Sequence, residues 1–291
     1  MKKIAWIVTD KNNFYKEIEV FSQLLQEKHN IAVELVSWLH QDTKDLSSYD
    51  LIILGGCDGY HANFVKFNHW LDSLQSIAHK VFNPIAAIRW NMEKTYLQRL
   101  ESAGFPTAPS IWVKKHDKIP YDELLKKDWR KVIFKPTISA GSRNTFIFDM
   151  DELKKKTPEI DYILNDSGLI IQQFMDQAIA FGEFSFLFFD KKFSHAVLKT
   201  PAQGDFRAGI RQGAVVKGLE INNETTKKLL TFAQKLVDFL PYELLYSRID
   251  LLLMEEKIMV MEVEIIEPLL YSEFNKDAAS NYVNTIVKRI N

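Results

Sequence analysis

Only one cysteine, Cys57, stands in the 291 residues, so no internal disulfide can staple the fold and no Cys/His spacing suits zinc. Charge of one sign is missing as well: 37 basic against 38 acidic residues leave a formal net charge of −1. There is no basic stripe for nucleic acid and no polybasic patch for a membrane surface. Long apolar runs are absent. Ile4–Val8 behind Lys2 and Lys3 is too brief for a signal-peptide core, and nothing approaches the roughly 20 residues of a membrane span. The chain carries no internal repeat and no low-complexity segment. What remains is 46% hydrophobic and long enough for two domains, expected in the cytoplasm with small molecules as partners.

The first 84 residues alternate strand and helix signals, with strand runs at Ile4–Val8, Val33–Trp38 and Leu51–Leu54 and helices near Tyr15–His29 and Phe64–His79. That alternation predicts a small parallel α/β layer. Gly55-Gly56-Cys57-Asp58-Gly59 follows the third strand, where parallel sheets commonly meet ligands. Its glycine spacing is not a dinucleotide fingerprint, and a plain turn explains it as well. From Ile85 the pattern shifts to longer antiparallel elements.

Lys131–Pro136 reads as a strand that delivers Lys135 to a loop of small residues, Ser139, Ala140, Gly141 and Ser142. Amides in such a loop can approach phosphate oxygens, although an ordinary hairpin turn would use the same residues. Leu169–Met175 reads as a nearly continuous apolar strand, and Gly182–Asp190 is expected to pair with Phe193–Lys199 across a Lys191-Lys192 turn. Pro201–Gly213 carries Arg207 and Arg211 and is either a basic loop able to close over an anion or a disordered surface segment. Lys114–Lys131 reads as a solvated loop and helix.

The richest stretch is Tyr246–Pro268, two apolar-rich runs around Glu255-Glu256-Lys257. With an odd-length turn centred on Glu256, Asp250 falls opposite Glu262 and Arg248 opposite Glu264 on one face. Met254, Leu252, Ile258 and Val260 lead toward that charged end. Ile249, Leu251, Leu253, Met259, Met261, Val263 and Ile265 then form a wholly apolar face. Three carboxylates on cross-strand neighbours repel one another, and Mg²⁺ would relieve the strain. A solvated hairpin edge, with Arg248 balancing part of the charge, accounts for the same residues.

Taken in order, Lys94 on a helix, Lys135 before its loop, Gln172-Gln173-Phe174-Met175, Gly182-Glu183, Gly204-Asp-Phe-Arg207 and Arg248-x-Asp250…Glu262-x-Glu264 resemble the ATP-grasp superfamily. Arg89-Trp90-Asn91, Lys135–Gly141 and Phe193–Lys199 are similar to its glutathione-synthetase-like group, which includes cycloserine-type synthetases. The resemblance runs from about Asn83 to Pro268. It implies mixed α/β and α+β architecture: a Rossmann-like α/β domain over residues 1–84, then an ATP-grasp domain over 85–291. Within the latter, about 106–172 would cover the nucleotide and 173–291 would form an antiparallel subdomain with the metal site.

The same resemblance implies roles. Lys94 and Lys135 would contact ATP phosphates under the Ser139–Ser142 loop, Gln172, Gln173, Phe174 and Met175 would face the adenine, and Glu183 the ribose. Asp250, Glu262 and Glu264 would hold two Mg²⁺ ions, with Mn²⁺ as a substitute. Arg248 and Arg207 would serve the reacting phosphoryl group, and Lys199, Arg211 and Glu267 the substrate. Glu264 departs from the family, where asparagine is more usual. The implied reaction activates a small carboxylate as an acylphosphate and transfers it to an amine or thiol; a homodimer is compatible with it. An intramolecular cyclase and a non-catalytic ATP-binding protein are the alternatives. His195 is expected to be structural, and no residue stands out as a general base.

Overall fold

Ile4, Ala5, Trp6, Ile7 and Val8 are all buried, as a strand in a parallel sheet covered on both faces requires. In the computed structural model, which describes residues 1–40, 46–155 and 158–290, β1 (Lys2–Val8), β2 (Ile31–Ser37), β3 (Leu51–Gly56) and β4 (Val81–Phe82) form a parallel sheet in the order β2-β1-β3-β4. The helix Glu17–His29 buries one stripe, Ile18, Phe21 and Leu25, against one face. The helix Phe64–Ser73 covers the other with Phe67 and Trp70, which meet Trp38. The helix expected as far as His79 ends at Ser73 and is followed by a 3-10 turn, Gln75–Lys80.

The Gly55-Gly56 pair is not a turn. Both residues lie in β3, where a Cβ on Gly55 would stand 2.1 Å from Trp6 Nε1 and one on Gly56 2.9 Å from Val8 Cγ1. The glycines exist for close packing, and the turn begins at Cys57.

A second sheet is antiparallel, with β5 (Ser110–Val113), β6 (Lys131–Pro136), β7 (Phe146–Asp149) and β8 (Leu169–Gln173) in the order β5-β8-β6-β7. Val132 and Phe134 of β6 point into its core with Leu169 and Ile171. The alternation therefore sends Lys135 to the opposite face.

The third sheet comprises β9 (Glu183–Phe189), β10 (Lys192–Thr200), β11 (Val215–Gly218), β12 (Tyr246–Met254) and β13 (Lys257–Glu264), all antiparallel, in the order β11-β10-β9-β12-β13. The helix Glu224–Phe239 covers one face. A capping box at Asn223 and Thr226 starts it, and Leu229, Ala233, Leu236 and Val237 bury against Phe186, Phe188, Ile249 and Val263.

Two hairpin turns differ from the sequence expectation. Phe189 pairs with Lys192, so the turn is Asp190-Lys191, both left-handed with φ of 50° and 59°, the geometry that follows strand twist in a two-residue hairpin. Met254 pairs with Lys257, so the last hairpin also turns in two residues, Glu255-Glu256. A helix for Lys94 is likewise corrected: it sits in the turn between the helices Ile85–Asn91 and Tyr96–Ser102, with its N–H donating to Thr137 O at 2.8 Å.

The helix Ala278–Ile290 joins the first and third sheets. Its Tyr282 meets Trp6 and Phe21 edge-on, with centroids 6.0 and 4.9 Å away, and stacks on Phe189 at 4.8 Å. Among the described residues no helix is long and apolar enough to cross a membrane.

Candidate active site

A two-residue turn alone would slip the last hairpin by one position and separate the acids. The ladder runs Met254 to Lys257 and Leu251 to Val260, then shifts, so that Asp250 faces Glu262 and Arg248 faces Glu264. Met261 is the extra residue, a β-bulge that restores the charged pairing by inserting one position. The register at the acids matches the expectation, but the faces nearer the turn do not. Ile258 and Val260, expected beside the charges, lie with Leu251 and Leu253 against the core. Met259 and Met261, expected in that core, lie with Leu252 and Met254 around Ala108 and Met175. A single inserted residue reverses every side chain beyond it. The bulge is held from outside, where Val260 N–H donates to Pro106 O at 2.8 Å.

Asp250, Glu262 and Glu264 bring carboxylate oxygens within 4.8 Å of one another. Around them the strands interleave bases and acids. Arg248 donates to Asp250 through Nε and Nη2, each at 3.0 Å, and also bonds Glu264. Lys199 Nζ meets Asp250 at 2.9 Å and its cross-strand neighbour Glu183. Lys94 pairs with Glu262, and Ser185 Oγ donates to Asp250 at 2.6 Å. Lys135 Nζ reaches Gln172 Oε1 at 3.0 Å.

Burial pushes the Asp250 carboxyl up, but Arg248 and Lys199 outweigh it and hold the group far below the usual carboxylate range. Glu262 is likewise lowered, because Lys94 overcomes its burial. Burial lifts Glu264 to about 7 despite Arg248, with Glu262 and Asp250 adding to the rise. Burial and then the charge of Lys94 lower Lys135 to about 8. Three carboxylates with oxygens this close together are the donor set a hard divalent ion takes. The trio fits Mg²⁺.

Every site residue named from the sequence lines one cleft of about 670 Å³ between the three sheets. Some are turned to other partners within it. Arg207 is bidentate to Asp205, Nε to Oδ1 at 3.0 Å and Nη2 to Oδ2 at 2.7 Å. Arg211 crosses to Asp58 at 2.8 Å, and Gln212 Nε2 donates to Gly141 O at 3.2 Å, so the basic loop straps the first sheet to the small-residue loop. The N–H groups of Gln173 and Phe174 donate to Pro109 O at 2.9 Å and Lys131 O at 3.0 Å, so these two amides are already engaged and not free to read a base. His195 lies outside the cleft lining, with its ring nitrogens against Leu270 O at 2.8 Å and Ser194 Oγ at 3.0 Å.

Sequence reasoning missed the supports. Asn91 brackets the end of β13, donating to Val263 O at 2.7 Å and accepting from Ile265 N–H at 3.2 Å, while Tyr96 Oη accepts from Val263 N–H at 2.9 Å. These bonds aim Glu262 and Glu264. Tyr271, in the left-handed region at φ 52°, lays its ring 5.4 Å from the Arg248 guanidinium, and Leu269 O accepts from Arg248 Nη1 at 3.2 Å. Tyr15, Asp58 and His61 complete the wall from the first sheet. No spacing rule joins residues so far apart, and the local signals were the Arg89-Trp90-Asn91 motif, which implied no role for Asn91, and the glycine-rich stretch around Asp58.

Glu17 anchors the Tyr271 segment by accepting from Leu270 N–H at 2.7 Å. Burial, opposed by hydrogen bonds from Leu270 and Ser272, raises its carboxyl from 4.5 to about 7. The folded state then holds this proton more tightly than the unfolded one. Its contribution to stability is full below about pH 4.5 and is lost as pH rises through about 7. Glu17→Gln is expected to flatten the fall in melting temperature across that window by the equivalent of roughly 2 kcal/mol. An unchanged pH profile in thermal melts would remove Glu17 from the account.

Comparison with known proteins joins this geometry to a family. Residues 4–83 match the N-terminal domain of D-cycloserine synthetase DcsG, and residues 132–290 match the RimK-like ATP-grasp domain. The cycloserine biosynthesis protein DcsG of Streptomyces lavendulae is 21% identical over 274 residues, 89% of either chain. A D-alanine–D-alanine ligase of Clostridium botulinum (strain Alaska E43 / Type E3) is 32% identical over 166 residues, 55% of this chain and 52% of that one. The crystal structure of D-cycloserine synthetase DcsG superposes with a TM-score of 0.83 at 20% identity, covering 99% of this chain and 100% of that one. D-alanine–D-alanine ligase from Bacillus anthracis in complex with ATP follows at 0.70 and 18%, covering 100% and 96%. With the RimK-like domain spanning more than half of its length, the chain belongs to the RimK-like ATP-grasp family.

Proposed function

We propose that the protein uses ATP to activate the carboxylate of a small amino-acid-like substrate as an acylphosphate and joins it to an amine, with Arg248, Lys94 and Lys135 as the groups that handle the transferring charge. Its family makes it an ADP-forming carbon–nitrogen ligase. The observation that carries the residue roles is the shared cleft, where two phosphate-seeking lysines and a three-carboxylate cluster face one cavity of about 670 Å³.

In the first step a substrate carboxylate oxygen attacks the γ-phosphorus, the bond to the β–γ bridging oxygen breaks, and ADP leaves. In the second, an amine lone pair attacks the acyl carbon, phosphate departs with the bonding electrons, and the nitrogen gives up a proton. Mg²⁺ held by Asp250, Glu262 and Glu264, with two ions as the expected number, would neutralise phosphate oxygens. Lys94 exchanges its Glu262 partner for phosphate, and Lys135, lowered to about 8, regains full charge beside it. Arg248, fixed by Asp250, Glu264, Leu269 O and the Tyr271 face, presents a planar donor to the acylphosphate. Glu183 and Gln172–Met175 remain the candidates for ribose and base. A cytoplasmic setting fits the use of ATP and the single buried free cysteine.

A second reading, intramolecular cyclisation, is favoured by the similarity to the cycloserine biosynthesis protein along nearly the whole chain. ADP release screened over amino acids and small carboxylates, with product masses, separates the two. A product lighter than one substrate by a water is a cycle, and one joining two substrates is a ligation. Mg·ATP itself is expected to raise stability by about 2.7 kcal/mol at a hundredfold excess over its dissociation constant. A melting temperature that ignores millimolar Mg·ATP would contradict nucleotide binding.

A further inference from the structure

Among the described residues two acids of the cleft have no counterion, and of these Asp10 accepts a hydrogen bond from Asn12 N–H at 2.9 Å, which leaves Glu267. Glu262 has Lys94, Asp250 and Glu264 share Arg248, Glu183 has Lys199, and Asp58 has Arg211. Glu267 Oε2 is buried and has no hydrogen-bond partner among the described residues. Glu267 also lies outside the trio whose oxygens cluster. It follows β13 on the segment leading to Tyr271 and lines the cleft on the side where Tyr15 and Asp58 enter.

Its surroundings sharpen the deficit. Burial raises its carboxyl well above the usual range, and Glu264 and Asp58 raise it further against Lys94. A desolvated carboxylate without a partner is costly until a cation or a proton reaches it. A metal ion would need more ligands than this one acid offers. An organic ammonium needs only a carboxylate and the aromatic faces that line the same wall, Tyr15 and Tyr271.

We propose that Glu267 binds a protonated amino group of the substrate and thereby points the carboxylate to be activated toward Arg248 and the trio. The protein then selects amino-carboxylates over the same acids lacking nitrogen. This inference rests on the ligase reading above.

The test pairs acids that differ only in the amine. D-alanine, L-alanine and 3-aminopropanoate are compared with lactate and propionate under Mg·ATP, with hydroxylamine present to trap acylphosphate as hydroxamate. The wild type is expected to favour at least one amino acid. Glu267→Gln should lower kcat/KM for that substrate about 10- to 100-fold and leave lactate and propionate unchanged, while keeping the Mg·ATP-induced melting shift. Glu267→Asp, which retains the charge, should recover part of the preference and carries the test if the glutamine variant does not fold.

A wild type that makes no hydroxamate from any of these amino acids, or makes it equally from propionate, overturns the inference. So does a glutamine variant with the wild-type preference. In each case an intact nucleotide-induced melting shift leaves the ligase reading standing. Loss of that shift in the wild type would remove the ligase reading instead.

Discussion

Glu262→Gln is expected to reduce turnover by about a hundredfold or more while the fold survives. The substitution keeps the volume and one acceptor oxygen but removes a charge from a cluster whose oxygens lie within 4.8 Å of one another. Losing one preorganised charge-handling group at a phosphoryl-transfer site typically costs this much. The loss has a second, separable part. Lys94, with a side chain 14% exposed, loses its ion-pair partner, and a half-buried charge left alone should lower the stability of the nucleotide-free protein by roughly 1–2 kcal/mol. Mg·ATP should restore part of that, because phosphate replaces the missing carboxylate beside Lys94. Steady-state ADP release and melts with and without nucleotide read the two parts. Undiminished turnover would mean that the acids are only a charged hairpin edge.

Arg248→Met should be more damaging still, for turnover and for the fold together. The Arg248 side chain is 7% exposed and Asp250 is 1% exposed, so the variant leaves buried Asp250 with Lys199 alone as its cation and removes the counterion of Glu264; breaking a buried pair costs on the order of 3–5 kcal/mol. The pH dependence gives a sharper signature. Asp250 is held far below its usual range by Arg248 and Lys199. Its contribution is present above the unfolded carboxylate range and is lost only as pH falls through the depressed folded value. In Arg248→Met that stabilisation should shrink, making the variant less stable at neutral pH and flattening the fall toward acid. Arg248→Lys keeps the charge but loses the fork that spans Asp250 and Glu264, so it should recover stability better than turnover. Equal recovery of both would argue that Arg248 serves folding alone.

The parallel layer was legible because its strands are short apolar runs spaced by amphipathic helices, a pattern carried by neighbours in sequence. The order of charged motifs was legible for the same reason, but the expected opposition of Asp250 to Glu262 assumed an odd-length turn, and with the two-residue turn it is the bulge at Met261 that restores it. The details that depend on another element were not. Gly55 and Gly56 look like a turn until Trp6 and Val8 are seen packed against them. The resemblance places Lys94 on a helix, yet it sits in a turn whose amide is tied to Thr137. The Lys191-Lys192 turn moved to Asp190-Lys191 because the hairpin demands two left-handed residues, and chain composition does not announce which two supply them.

By itself the sequence determined which chemical groups the protein has and in what order they come: two lysines before acid-rich strands, an arginine two residues ahead of an aspartate, and a basic loop between them. Tertiary structure decided how they are used. A bulge at Met261, held where Val260 bonds Pro106 in a distant segment, restores the register that puts the carboxylates together. Cross-strand and cross-sheet proximity assigns Lys199 to Asp250 and Glu183, Lys94 to Glu262 and Arg211 to Asp58, and leaves Glu267 Oε2 without a hydrogen-bond partner among the described residues. The physical reason is that ion pairing and desolvation depend on distances of a few ångströms between residues up to two hundred positions apart. Local periodicity places a side chain on a face but not beside its partner.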